Sequence, residues 1–344
     1  MNEFTFKNPM APLWIMYPEI PQFSIGWRMG YGEQYLIDFN NWFKELSKLE
    51  KIEYAKLFPA PKIWINYYNF NYNNKSHDFE DLDDYWIETV QLWNKKGDMK
   101  YNLADMIEKF TNANNSGNNT NNSNNHNLDF IFFWKPQNNT NNTTNNNTTN
   151  NNTNNNNSNS SNTNTNSNSS NTNIDESFLS QWQKSYFTFD VYEYNCAEQY
   201  MMAEKARIFK DEDNLEKIMI CDSPNEMKSL GREVQNFNSE LWDKVKYSIV
   251  LNGNYHKFSQ NNELRNYLIS TGDKLLVEAS SYDKIWGIGF ESDEVEAKNP
   301  NLWKGQNLIG FALMEVRDEL KGVYKYYNQI NWEFINRKYN LKRY

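Results

Sequence analysis

NCAEQYMMAEKA (195–206), GNYHKFSQN (253–261), LRNYLISTGDKLLVEASSYDKIWGIG (264–289) and NLWKGQNLIGFALMEVRDEL (301–320) place charged and amide side chains repeatedly among apolar ones. A plain core has no use for such a pattern, because a buried polar group costs free energy unless it is partnered. A site assembled from polar groups needs it. The reading of these four stretches therefore fixes both the fold and the place to look for function. Apolar residues recur at helical spacing over 195–210, 212–220, 223–235, 238–254, 260–270 and 303–320, and short strands are expected at 129–134, 186–193 and 274–278. The class that follows is α+β, mainly helical, with a small sheet.

Outward from this region the chain changes character. Residues 138–173 contain only Asn, Thr and Ser. No apolar side chain there can offset the entropy of ordering, so the tract is expected to be disordered. LDFIFFWKP (128–136) precedes it and would have no partner if the tract were a domain boundary. The tract is therefore read as an insertion within a domain spanning 128–320, with an Asn-rich linker at 111–127 before it and a C-terminal extension at 321–344 after it. Long insertions cost little, since closure entropy grows only logarithmically.

Residues 1–110 are expected to form a separate α/β unit. Tyr35, Phe39, Trp42, Phe43, Leu46 and Leu49 predict a helix over 33–50, KIWINYYNFNY (62–72) alternates like a strand, and Trp86, Val90 and Trp93 mark another helix. SIGWRMGYGEQY (24–35) reads as a structural turn, because its glycines match neither a P-loop nor a dinucleotide fingerprint. No function follows for this unit.

The net charge of −9 argues against a broadly basic nucleic-acid face, although a local basic cleft is compatible with it. Two cysteines do not make a disulfide framework, and three histidines give no zinc-ligand spacing. No basic stretch followed by an apolar one opens the chain, so no signal peptide is expected, and no apolar run is long enough to span a membrane. A cytosolic or nuclear location is the expectation, with the Asn-X-Ser/Thr sequons of the tract unmodified.

Several residues are candidates for chemistry. Asn195 is placed to cap a helix on which Glu198, Met202, Lys205 and Phe209 share one face. A carboxylate and an ammonium on an apolar face suit a site, and a capping acid with a solvated lysine is the plainer reading. Glu278 ends a strand, and the loop after it carries Asp283 and Trp286, a carboxylate beside an indole that suits a flat ring; an Asx turn with a core Trp is the alternative. Lys257, Gln260, Asn261 and Arg265 form a polar, basic cluster that could hold a phosphate or a sugar, or could simply be a solvated helix start, with His256 an exposed loop residue. Lys304, Gly305 and Asn307 could supply anion-binding donors at the start of a helix. Cys196 reads as a packed thiol.

The region 128–320 resembles the NADAR/YbiA-like family. The match is carried by FFW (132–134), SQW (180–182), YNCAEQYMMAEKA (194–206), GNYHKFSQN (253–261), LISTGDKLLVEAS (268–280), DKIWGIG (283–289) and NPNLWKGQNLIGFALMEVRDEL (299–320), in that order. The departures are the long loop after Pro136 and Ser281 where many relatives carry Pro. The resemblance implies a compact, mainly helical α+β fold and an N-glycosidase activity. The substrates it implies are phosphoribosylated pyrimidine intermediates of riboflavin synthesis or ADP-ribosyl-guanine in nucleic acid, the small molecule being favoured. It places the catalytic groups at Glu198, Asp283 and Trp286, with Glu278 a further polar position; a variant of the mechanism, ranked second, makes Lys205 a nucleophilic amine. Lys257 and Arg265 are the expected phosphate ligands. It implies no metal or redox cofactor, no membrane and no particular protein partner.

Overall fold

The computed structural model describes residues 4–64, 67–68, 99–116, 129–135 and 175–341. The first part is helical: α1 (Leu13–Met16), α2 (Gly26–Met29), α3 (Glu33–Glu45) and α4 (Lys48–Leu57). The helix expected over 33–50 is two helices. Ser47 breaks it and caps α4, its hydroxyl accepting from the Glu50 N–H while the Glu50 carboxylate accepts from its own N–H. That reciprocal pair satisfies two donors at a helix start.

The α/β expectation for this part is not confirmed among the described residues, where the β pairing is a single bridge between Thr5 and Asn8. Lys62–Trp64 and Tyr67–Tyr68 are turns, and the rest of the expected strand, like the helix expected around Trp86, lies outside the described residues. The alternation of KIWINYY comes from rings, not from a pleat: Trp64, Tyr67 and Tyr68 each pack edge-on against Trp14. The core here joins Trp14, Tyr35, Phe39, Tyr54 and Phe58 to Val323, Ile330 and Ile335 near the other end of the chain. The buried hydroxyls of Tyr35 and Tyr54 are partnered by the carbonyls of Ala11 and Met10.

The helix α5 (Leu103–Ser116) runs into the start of the expected linker and gives Met106 to the larger core. Beyond it, β1 (Phe130–Phe133) is followed by a hairpin of β2 (Phe187–Phe189) and β3 (Tyr192–Tyr194), which splits the single strand expected over 186–193. Then come α6 (Ala197–Ile208), α7 (Glu212–Ile220), α8 (Pro224–Arg232), α9 (Ser239–Ser259), α10 (Asn262–Ser270), β4 (Leu275–Glu278), α11 (Leu308–Val323) and α12 (Trp332–Tyr339). β1 and β4 pair in parallel, with Phe130 opposite Leu275 and Phe133 opposite Glu278. The expected insertion tract itself lies outside the described residues.

α9 is the central element, and α6 and α11 pack against it. GNYHKFS (253–259) of the stretch expected as a loop forms the last third of this helix, which is buried on every side from Asn252 to Ser259. Gly310 brings α11 onto β4: a Cβ there would lie 2.1 Å from the Leu276 carbonyl oxygen. No helix among the described residues is long and apolar enough to cross a membrane.

Gly310→Ala should cost about 1–3 kcal/mol, since the added carbon meets backbone that cannot yield cheaply. Gly322→Ala, on the same helix with open space around its Cβ position, should be neutral or stabilising by up to about 1 kcal/mol. Thermal melting of the two variants side by side checks both signs.

Candidate active site

A cavity of about 140 Å³ opens between α6, α8 and the end of β4. Gln181, Trp182, Glu198, Met201, Met202, Lys205, Lys228, Gly231, Arg232, Trp242, Glu278, Trp286 and Ile309 line it. Four residues singled out from the sequence, Glu198, Lys205, Glu278 and Trp286, thus share one hollow. Asp283 stands behind its wall and reaches it through Lys228, whose ammonium lies 3.3 Å from the Asp283 carboxylate.

Glu198 occupies the second position of α6 without serving the helix end. Asn195, expected as the cap, is not one: the N-cap is Cys196, and its side chain makes no capping bond. Gln199 does the local work. Its carbonyl accepts from the Asn195 N–H, and its amide donates to the carbonyls of Ile218, Met219 and Cys221. The Glu198 carboxylate is left for the cavity. It is 5% exposed, with the Trp182 indole beside it in the cavity lining. Burial pushes its pKa up to about 7; the Asp283 charge adds to the rise, and Lys228 and the indole oppose it.

Glu278 closes β4, its N–H donating to the Asn307 side-chain oxygen at 3.0 Å. Its Oε2 is buried and has no hydrogen-bond partner among the described residues. Burial, then the charges of Asp283 and Glu198, push this carboxyl up to about 8. Asp283 is treated differently. One oxygen accepts from the N–H groups of Ile285 and Trp286, and the other faces Lys228. That Asx turn fixes the Trp286 backbone at the cavity edge.

Lys205 lies over the rings of Phe237 and Trp242, at 4.3 and 5.5 Å, and donates to the Gly231 carbonyl at 2.6 Å. Burial, then the neighbouring Arg232 charge, lowers its pKa. Gly231 has to be small, because a Cβ there would sit 2.0 Å from the Met202 sulfur. Phe209, expected on the same face, follows the last residue of α6 and packs on Phe237, the ring that Lys205 also covers.

Five proposed substrate ligands are placed elsewhere. Lys257 is fully buried in α9 and donates to the carbonyls of Phe178 and Ser180. Gln260 bonds both backbone groups of Thr188 in the hairpin. Asn261 caps α10. The Arg265 guanidinium donates to the Ser259 carbonyl and the Asn262 side chain, and lies 3.9 Å over the Tyr324 ring. Asn307 bonds the edge of β4, donating to the Leu276 carbonyl as well as accepting from Glu278. Each serves backbone that would otherwise be buried unpaired, and none lines the cavity. The N–H groups of Lys304 and Gly305 are spent on the Ile288 carbonyl. His256, expected on the surface, is buried in α9 against the Pro18 carbonyl, and burial drives its pKa down to about 3.

Sequence reasoning missed Trp182, Lys228 and Arg232. Trp182 appeared there only inside a matching block. Lys228 and Arg232 sit four apart on a helix that reads as an ordinary solvated face; their spacing was the one available signal.

The NADAR domain family matches residues 132–321. N-glycosidase R617 of Acanthamoeba polyphaga mimivirus is 50% identical over 127 residues, which cover 37% of this chain and 75% of that protein. N-glycosidase YbiA of Escherichia coli (strain K12) is 32% identical over 124 residues, 36% of this chain and 69% of that protein. The chloroplastic riboflavin biosynthesis protein PYRR of Zea mays is 33% identical over 114 residues, 32% of this chain but only 16% of that longer protein.

The raised carboxyl of Glu278 has a consequence for stability. Between the ordinary value of 4.5 and about 8 the folded chain keeps a proton that the unfolded chain has released. Folding therefore loses stability as pH rises through that window. Glu278→Gln should shrink the fall in melting temperature between pH 5 and pH 8.5 relative to the unaltered protein. An equal fall in both would contradict the assignment.

Proposed function

The chain belongs to the NADAR domain family, and from that premise we propose that it is an N-glycosidase, a hydrolase that cleaves the bond between C1 of a ribose and a base nitrogen. The observation that carries this reading is a pair of carboxyls, the buried Glu198 and the half-buried Glu278 with its Oε2 enclosed, converging with Trp286 and Trp182 on one cavity. A cavity of about 140 Å³ admits roughly one ring. The scissile end would enter it, and the rest of the substrate would lie along the rim. The favoured substrates are phosphoribosylated pyrimidine intermediates of riboflavin synthesis. The relatives named as N-glycosidases support the reaction class, and the Zea mays relative named for riboflavin biosynthesis supports the pathway.

In the mechanism we assign, the C1–N bond breaks with its electron pair passing to the base, and positive charge builds on C1 and the ring oxygen. Ionised Glu198 stabilises that charge and accepts a proton from the water that adds to C1. Glu278 gives its proton to the departing base. Asp283, whose oxygens are already occupied, keeps Lys228 in place and holds the Glu278 carboxyl protonated by its charge. Trp286 and Trp182 offer faces to the flat base. Two carboxyls both pushed up toward neutral pH in one cavity can serve one as base and the other as acid.

A covalent route is favoured by one observation: burial and Arg232 lower the pKa of the Lys205 amine inside the same cavity. Its lone pair would attack C1 as the base leaves with the bonding electrons. The sugar ring would open to an iminium, and water would then release the sugar.

The deciding experiment is base release by the purified protein from the riboflavin intermediates and, in parallel, from ADP-ribosylated guanosine oligonucleotides. Release from the first alone is expected; release from the second alone would transfer the assignment to nucleic acid, and release from neither would remove the enzymatic reading. Glu198→Gln should lower kcat by about 10²–10⁴-fold with an unchanged circular dichroism spectrum. The profile of kcat/KM against pH should be bell-shaped, highest between about 7 and about 8, because Glu198 must be ionised and Glu278 protonated. Borohydride added during turnover should leave sugar attached to the protein only if Lys205 is the nucleophile, and Lys205→Arg should then abolish the adduct.

A further inference from the structure

The phosphate carried by such a substrate has no partner at the residues the sequence suggested, since Lys257 and Arg265 are buried away from the cavity. The cavity has other cations. Lys228 and Arg232 stand one turn apart on α8 and both line it. The Lys228 side chain lines the cavity, is 33% exposed, and pairs with Asp283 at 3.3 Å. One of its three donors faces that carboxylate. Arg232 is exposed and makes no ion pair or hydrogen bond among the described residues, so its guanidinium fork is open to a ligand. The acids Glu198 and Glu278 line the same space. The hollow is thus polarised, with carboxyls where C1 would react and cations along one wall.

We propose that Lys228 and Arg232 form a phosphate-recognition wall, so that the protein selects ribosides bearing a phosphoryl group on the sugar over their unphosphorylated counterparts. This rests on the N-glycosidase reading for its substrate and on the cavity alone for its ligand chemistry. With C1 turned to the carboxyls, the C5 end of a ribose projects to the opposite edge of the ring, where a phosphoryl group meets α8. Arg232 supplies a planar, two-pronged contact and Lys228 a compact charge. The phosphoryl group could be a monoester or the pyrophosphate of ADP-ribose, and the chemistry of recognition is shared.

The test uses the full chain and two substrates, a phosphoribosylaminopyrimidine and the riboside obtained from it by phosphatase. The unaltered protein should prefer the phosphorylated one. Arg232→Ala should lower kcat/KM for it by about tenfold to a hundredfold, chiefly through KM, and by at least tenfold more than for the riboside. An equal loss on both substrates, or no loss on either, overturns the proposal. A binding arm keeps the ligand question separate from catalysis: ribose 5-phosphate, ADP-ribose and ribose are titrated against tryptophan fluorescence. Tighter binding of either phosphorylated sugar than of ribose, weakened in Arg232→Ala, supports the wall even if no base is released, and the tighter ligand names the source. Equal binding of all three sugars overturns it.

Discussion

Taking a carboxylate out of water is costly, and the way this domain handles that cost singles out its cavity. Three buried acids show the contrast. Glu204, on the same helix as Glu198, is paired with Arg207, which also donates to the Tyr194 hydroxyl. Glu315 on α11 is met by the Lys62 ammonium, the Lys100 N–H and the Tyr247 hydroxyl. Glu198 has no ion pair among the described residues. Its neighbour Glu278 has an oxygen with nothing to bond. Glu204 and Glu315 are neutralised where they lie; Glu198 and Glu278 are instead pushed up toward neutral pH beside an open cavity. That asymmetry, more than the presence of acids, marks a place for proton transfer.

Holding such a site open requires the surrounding backbone to be satisfied by other means. Lys257 is an ammonium with no carboxylate partner, used as a double donor to Phe178 and Ser180. Burial lowers its pKa to about 7, a strain the fold accepts to fix the segment that leads into Gln181 and Trp182. Gln181 is itself locked to Asn254 of α9. Asn307 does for β4 what a further strand would do, and Gln199 ties α6 to the end of α7. The amides and the buried lysine that looked like ligands in the sequence are the frame that positions Trp182, Glu198 and Glu278.

The periods of the helices were legible because most have one wet face, and the spacing of Glu198, Met202 and Lys205 correctly put three side chains on one surface. GNYHKFSQN was not legible as a helix interior. A helix buried all round has no polar face to set a phase, so its Asn, His, Lys and Gln read as a loop cluster. The same ambiguity misplaced Lys257 and Arg265: residue type states what a group can bond, and only the packing states whether a ligand or a carbonyl is in reach. KIWINYY failed for a related reason, since rings gathered around Trp14 imitate strand alternation. Arg232 was invisible because nothing in an i, i+4 pair tells which way the helix faces.

The long Asn/Thr/Ser tract leaves and rejoins the domain at contacts that touch the cavity frame. Before it, Phe133 lies opposite Glu278 in the parallel pair, and the Lys135 ammonium lies 5.0 Å from the Trp134 ring and 4.5 Å from that of Trp182. Trp182 in turn lines the cavity with Glu198. After it, Asp175 caps the short 3₁₀ turn Glu176–Leu179, whose Phe178 carbonyl is held by Lys257. Both ends are therefore fixed independently of what joins them. The separation of Glu198 from Glu278 depends on strand register, on a buried ammonium and on an indole. Chain length between Pro136 and Ile174 enters none of these, and closure entropy rises only with the logarithm of that length. An insertion at this point can grow beside the reacting groups without moving them.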